Sequence, residues 1–166
     1  MKPLQYAAAA AVLVALGSGA YLGLGAGTAA PVVSYTLLDG TQASTEQFRG
    51  KVVFVNFWAT TCTTCVREMP EIVATYHKYK AHGFGTLAVA MSYDPPAYVV
   101  NFAETRKLPF GVAIDNTGAI ARSFGNVQLT PTSVLINKRG EIVKRYVGEP
   151  DFTALRKLVE QLRAET

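Results

Sequence analysis

Residues 52–70 read VVFVNFWATTCTTCVREMP. Val52 to Val55, then Phe57 and Trp58, form a β-branched and aromatic run broken only by Asn56. Such a run is too continuous for a strand with one wet face, and it predicts a strand buried on both sides. After Cys62 the period changes. Val66, Met69, Val73 and Tyr76 recur at helical spacing with Ile72 beside them, and Arg67, Glu68 and Glu71 are placed on the other side. Cys62 therefore stands where strand becomes helix, next to backbone N–H groups that have no helical partner and at the positive end of the dipole.

That position favours a thiolate, the nucleophilic form of cysteine. Cys62 is expected to be the exposed attacking sulfur. Cys65, one turn into the helix, is expected to be more buried and able to release a mixed disulfide formed on Cys62. Thr63 and Thr64 between them carry hydroxyls and no charge. Other readings of the pair are an inert disulfide or half of a zinc site. The chain has no further cysteine, so zinc would need His77 or His82, which lack a recognisable ligand spacing. Haem attachment needs His directly after the second cysteine, where Val66 stands. The strand–CxxC–helix context favours a redox-active pair, with no metal and no dissociable cofactor.

The 166 residues suffice for one domain with a full core. The formal charge of +4 is scattered, with no basic run longer than two residues, which argues against a nucleic-acid surface. Ala7 to Gly27 contains no charge, Lys2 precedes it, and the next charge is Asp39. This segment reads as a membrane anchor or as a cleaved signal peptide, with Ser18-Gly19-Ala20 as one cleavage candidate. In both cases residues 31–166 form the domain, and it leaves the cytoplasm. Lys2 on the cytoplasmic side places that domain at the periplasmic face of the inner membrane, or in the soluble periplasm after cleavage. Gly25 to Pro31 reads as a linker.

The remaining pattern is a strand over Val33 to Leu38, a capped turn at Ser44 to Gln47, a strand over Thr86 to Met91, and a helix opened by Asp94-Pro95 with Asp94 as N-cap. Then come a strand over Phe110 to Ile114, a short helix over Ala119 to Phe124, a hairpin of Ser133 to Asn137 with Glu141 to Val147, and a helix from Phe152 to about Arg163. Alternating strands and helices closed by a hairpin and a helix predict an α/β fold, a central mixed sheet covered on both faces.

This order, with Phe57-Trp58-Ala59-Thr60 before Cys62 and Glu68-Met69-Pro70 after Cys65, resembles the thioredoxin superfamily and its TlpA/ResA-like branch of exported thiol–disulfide oxidoreductases. The resemblance runs from about Pro31 to the C-terminus and implies a thioredoxin-like fold. It implies Cys62 as nucleophile, Cys65 as resolving cysteine, and Pro131 as a cis-proline facing them, with Thr130 offering its backbone to an extended substrate. Trp58 is expected at the substrate site, or packed beneath it. Asp94 and Glu68 are candidates for proton transfer, against the plainer readings of a helix cap and a surface carboxylate. The family usually has Trp before the first cysteine and Pro before the second; Thr61 and Thr64 stand there and bear on the redox potential.

The implied partners are disulfide-bonded exported proteins, apocytochrome c among them, and a membrane electron donor that re-reduces the pair. Gly125 to Thr130 lacks the Gly-Val-x-Gly-x-Pro-Glu lead-in of the dedicated cytochrome-maturation thioredoxins, which favours general thiol reduction. The alternatives are a disulfide oxidase or isomerase, and a redox-inactive peptide- or metal-binding protein.

Overall fold

The computed structural model describes residues 27–165. The anchor or signal segment predicted for the N-terminus lies, up to residue 26, outside the described residues. Among the described residues no helix is long and apolar enough to cross a membrane.

Strand β4 (Val52–Trp58) is at the centre, and every one of its residues is buried. It pairs parallel with β5 (Phe84–Ala90), which pairs parallel with β6 (Gly111–Ile114). On its other side β4 pairs antiparallel with β7 (Thr132–Ile136), and β7 with β8 (Glu141–Val147). The six-stranded mixed sheet closes with β1 (Thr28–Ala29) on the edge of β8.

The alternation of β4 sorts its side chains between two cores. Val52, Phe54 and Trp58 face α1 (Thr63–Tyr79), α2 (Pro96–Thr105) and α4 (Phe152–Ala164), meeting Cys65, Met69, Ile72, Val99, Leu155 and Val159. Val53, Val55 and Phe57 face α3 (Ala119–Ser123) and the segment after it, meeting Ile120, Phe124 and Val127. A sheet sandwiched between helical layers is the predicted architecture, and the thioredoxin-like fold is what the chain adopts.

Three details differ from the sequence reading. The single strand expected over Val33 to Leu38 is one arm of a small hairpin, β2 (Ser34–Thr36) with β3 (Gln42–Ser44). Its turn is held by the Asp39 carboxylate, which accepts from Thr41 N at 2.9 Å. The linker-like Gly25 to Pro31 supplies β1, because strand pairing uses backbone groups and needs no apolar side chain. A Cβ on Gly27 would lie 2.8 Å from Ile142 O, so the small residue permits the approach. The third is the opening of α2. Pro95 occupies the N-cap without a side-chain bond, and Asp94 is not the cap.

Gly85 lies in β5 under the ring of Phe48, which closes the 3-10 turn Thr45–Phe48. A Cβ there would meet two ring carbons at 2.9 Å. Gly85→Ala is therefore expected to cost about 1–2 kcal/mol net of its gain in strand entropy. Urea denaturation measures this, and unchanged stability would mean that the ring swings clear.

Candidate active site

The site lies at the end of the sheet where β4 and β5 finish. Trp58 O, at the end of β4, accepts from Met91 N at 3.0 Å, which carries the parallel pairing one residue past β5. The chain then turns through Ala59 to Thr61, with Cys62 N donating to Ala59 O at 3.2 Å. Cys62 is extended (φ −89°, ψ 103°) and is the N-cap of α1, its Sγ accepting from Cys65 N at 3.2 Å. Cys62 and Cys65 form a disulfide with their Cα atoms 5.2 Å apart. Cys62 is partly exposed and Cys65 fully buried, the asymmetry expected of attacking and resolving sulfurs.

Asp94 is 2% exposed and holds the turn before Cys62. Its two carboxylate oxygens accept from Thr60 N and Thr60 Oγ1, both at 2.6 Å. The capping role read from Asp94-Pro95 is thus replaced by a bond across 34 residues of chain.

Pro131 faces the same end of the sheet. Phe57 pairs with Thr132, so Thr130 and Pro131 lie just beyond that pair, beside the turn leading to Cys62. The Thr130–Pro131 bond is cis, as the resemblance implies. Thr130 Oγ1 is hydrogen-bonded to Tyr93 Oη at 3.0 Å, and Gly148 N donates to Pro131 O at 2.8 Å. The next residue, Glu149, accepts from Arg67 Nη2 at 2.6 Å. Hydrogen bonds and chain neighbours thus link Thr60 through Asp94, Tyr93, Thr130, Pro131, Gly148 and Glu149 to Arg67 on the second turn of α1, tying together the segments on either side of the Cys62–Cys65 pair.

Trp58 has no exposed surface and packs on Phe102, ring centroids 5.1 Å apart. This corrects its assignment as a substrate contact: a ring at 0% exposure is packing beneath the site and reaches no ligand.

Glu68 is also corrected. It is fully buried, not a surface carboxylate. Three residues after Cys65, it shares that residue's face of α1. Asn56 Nδ2 donates to Glu68 Oε1 at 2.9 Å and to Ser133 Oγ at 2.9 Å. Burial pushes the Glu68 carboxyl up to about 7; the Asn56 hydrogen bond opposes the rise, while the charge of Glu149 adds to it and that of Arg67 reduces it. A carboxyl exchanging its proton near neutrality suits general acid–base work. Asn56, Ser133, Thr60 and Tyr93 were not singled out from the sequence. Only Asn56 left a signal, as the polar break in an apolar strand.

The Redoxin family pattern matches residues 25–162. The chain belongs to the Redoxin family. Among curated relatives, this redoxin is 37% identical over 136 residues to the thiol-disulfide oxidoreductase ResA of Bacillus thuringiensis subsp. konkukian, covering 82% of the chain and 78% of that protein. The ResA of Halalkalibacterium halodurans is 34% identical over 128 residues, 77% of the chain and 72% of that protein. Among solved structures, a Neisseria meningitidis protein assigned to the thioredoxins matches with a TM-score of 0.75 at 43% identity, over 81% of this chain and 90% of that one. A thioredoxin-family thiol:disulfide interchange protein of Chlorobium tepidum matches with a TM-score of 0.76 at 26% identity, over 83% and 97%. This redoxin is a ResA-type thiol-disulfide oxidoreductase with Cys62 and Cys65 as its redox-active pair.

Proposed function

We propose that the protein works outside the cytoplasm and reduces disulfides in exported proteins. The observation that carries this reading is the helix-capping Cys62 beside a fully buried Cys65, with a buried carboxyl poised near neutrality one turn on. In the reduced form the Cys62 thiolate, stabilised by the N–H groups of the first turn of α1, attacks one sulfur of the substrate disulfide. The substrate S–S bond breaks, a mixed disulfide forms on Cys62, and the departing substrate thiolate takes up a proton. Glu68 accepts the proton of Cys65, whose thiolate then attacks Cys62 Sγ and expels the second substrate thiolate. Two electrons pass to the substrate and the Cys62–Cys65 disulfide results. A membrane-bound thiol donor restores the dithiol. Thr130 presents its backbone to the substrate strand, and Asp94 acts by holding Thr60 and the turn before Cys62. Export is supported by the uncharged stretch Ala7 to Gly27 behind Lys2.

The direction of electron flow is tested by the potential of the pair, titrated against glutathione and dithiothreitol buffers. A value below about −220 mV is expected of a reductase, and a value above about −150 mV would make the protein an oxidant. Reduction of apocytochrome c, compared with unrelated disulfide proteins, tests whether it is among the substrates.

Glu68→Gln should slow attack by Cys65 about a hundredfold at pH 7 and remove the inflection near neutrality from the pH–rate profile. It should also stabilise the fold at high pH. Below about pH 4.5, the ordinary carboxyl value, Glu68 is neutral in folded and unfolded chains alike; between there and about 7 the folded chain keeps a proton that the unfolded chain has lost. Stability therefore falls as pH rises through this window, and the loss is complete above it. At pH 8 the glutamine variant should be more stable by up to about 3 kcal/mol. Thermal unfolding at pH 4 and pH 8 measures the difference.

A further inference from the structure

Asn56 occupies the centre of β4 at 0% exposure, on the face turned to α1. Its Nδ2 donates to two acceptors at once, Glu68 Oε1 and Ser133 Oγ, and its Oδ1 is buried without a partner. The second carboxyl oxygen, Glu68 Oε2, is likewise buried without a partner. This arrangement suits an ionised Glu68, which only accepts. A neutral Glu68 gains an O–H that needs an acceptor, and Asn56 Oδ1 is an unused acceptor on the side chain already bound to it. A half-turn of the amide would bring Oδ1 to the position of Nδ2, where it accepts from the carboxyl O–H. The Ser133 hydroxyl follows because it can accept or donate. It accepts from Nδ2 in one state and donates to Oδ1 in the other.

We propose that Asn56 and Ser133 form a rotating amide relay that keeps Glu68 hydrogen-bonded in both its charged and its neutral form, and thereby sets the pH at which Glu68 exchanges its proton. Both are positioning residues. The inference deepens the reading of Glu68 as proton acceptor for Cys65 and rests on it. The charges acting on Glu68 are Arg67 on its own helix and Glu149 at the start of the loop after β8, which are joined to each other. Cys65, three residues before Glu68, and Glu71, three after, are the other ionisable residues one turn away on α1; Glu71 is exposed and paired with Arg156. Strands β4 and β7 contribute no ionisable side chain, so their influence on Glu68 passes through Asn56 and Ser133.

The test is a pH titration by NMR of the whole chain in its disulfide form, where the cysteines do not titrate. The Glu68 carboxyl carbon and the Asn56 side-chain amide are followed together. In the wild type the Asn56 amide signals should move with the same midpoint as Glu68, and Glu68→Gln should abolish the movement. Asn56→Leu should raise the Glu68 midpoint by about one pH unit or more, since the hydrogen bond favouring the charged form is gone. Ser133→Ala should alter the Asn56 amide signals at both ends of the titration. An Asn56 amide that stays flat through the Glu68 midpoint, or a Glu68 midpoint unmoved in folded Asn56→Leu, would overturn the relay. Should the leucine variant not fold, the wild-type amide titration decides. The acceptor role has its own readout: a pH–rate profile unchanged by Glu68→Gln would remove that role, while the coupling of Asn56 to Glu68 would still be read from the spectra.

Discussion

Cys62→Ser should reduce turnover of disulfide substrates by at least about a thousandfold, whereas Cys65→Ser should arrest the reaction half-way. The two differ because the sulfurs occupy different places. Cys62 is partly exposed at the N-cap of α1, where the helix terminus stabilises a thiolate, and a serine hydroxyl at that position stays protonated near neutrality. Cys65 is fully buried and meets the substrate only through Cys62. Its serine variant retains the attacking thiolate and loses the group that resolves the adduct, so a mixed disulfide should accumulate to about one substrate per chain. Mass spectrometry under non-reducing conditions reads this directly. Equal loss in both variants without any adduct would mean that Cys62 is not the sulfur that attacks. Full activity in Cys62→Ser would leave a binding protein in place of an enzyme.

Asp94→Ala should cost about 3 kcal/mol and lower the melting temperature by about 10 °C. Asp94 is buried and takes two short bonds from one residue, Thr60 N and Thr60 Oγ1 at 2.6 Å each. Bonds to a charged acceptor are stronger than neutral ones, and their removal leaves two donors without partners in a site partly closed to water. The effect should be local as well as global. With its staple gone, the turn Ala59 to Thr61 is fastened by the bond from Cys62 N to Ala59 O. Amide exchange at Thr60 and Thr61 should rise more than exchange in β5. Asp94→Asn keeps one acceptor and should fall between. A loss under 1 kcal/mol in the alanine variant would show that water takes over both bonds at little cost.

The contrast between Asp94 and Cys62 marks the boundary of what local pattern conveys. The meaning of Cys62 is written within twenty residues: a buried strand, a change of period, and two cysteines at the junction. The partner of Asp94 lies 34 residues away, and the adjacent prolines offer a simpler local role that the fold does not use. Glu68 fails for another reason. The helical period sets it with Arg67 and Glu71 on the side away from the apolar positions, where a carboxylate is ordinarily left in water, and only the packing of segments around α1 overrides that expectation. Asn56 on β4 and Ser133 on β7 meet it from two strands whose pairing is not inscribed in either.

The sequence alone determined the elements that depend on neighbours along the chain: the central strand, the redox helix from its cap to Tyr79, the closing hairpin with its exact arm Glu141–Val147, the last helix, and the alternation that makes a mixed sheet. Periodicity and capping are properties of contiguous residues, so they are legible there. The tertiary structure decided which polar groups are withdrawn from water and which meet across the sheet. It buried Glu68, moved Asp94 from a cap to a staple, and drew Thr28–Ala29 onto β8 at Glu141 and Ile142. Each of these depends on surface supplied by segments distant in the chain, and burial is a property of the assembled whole.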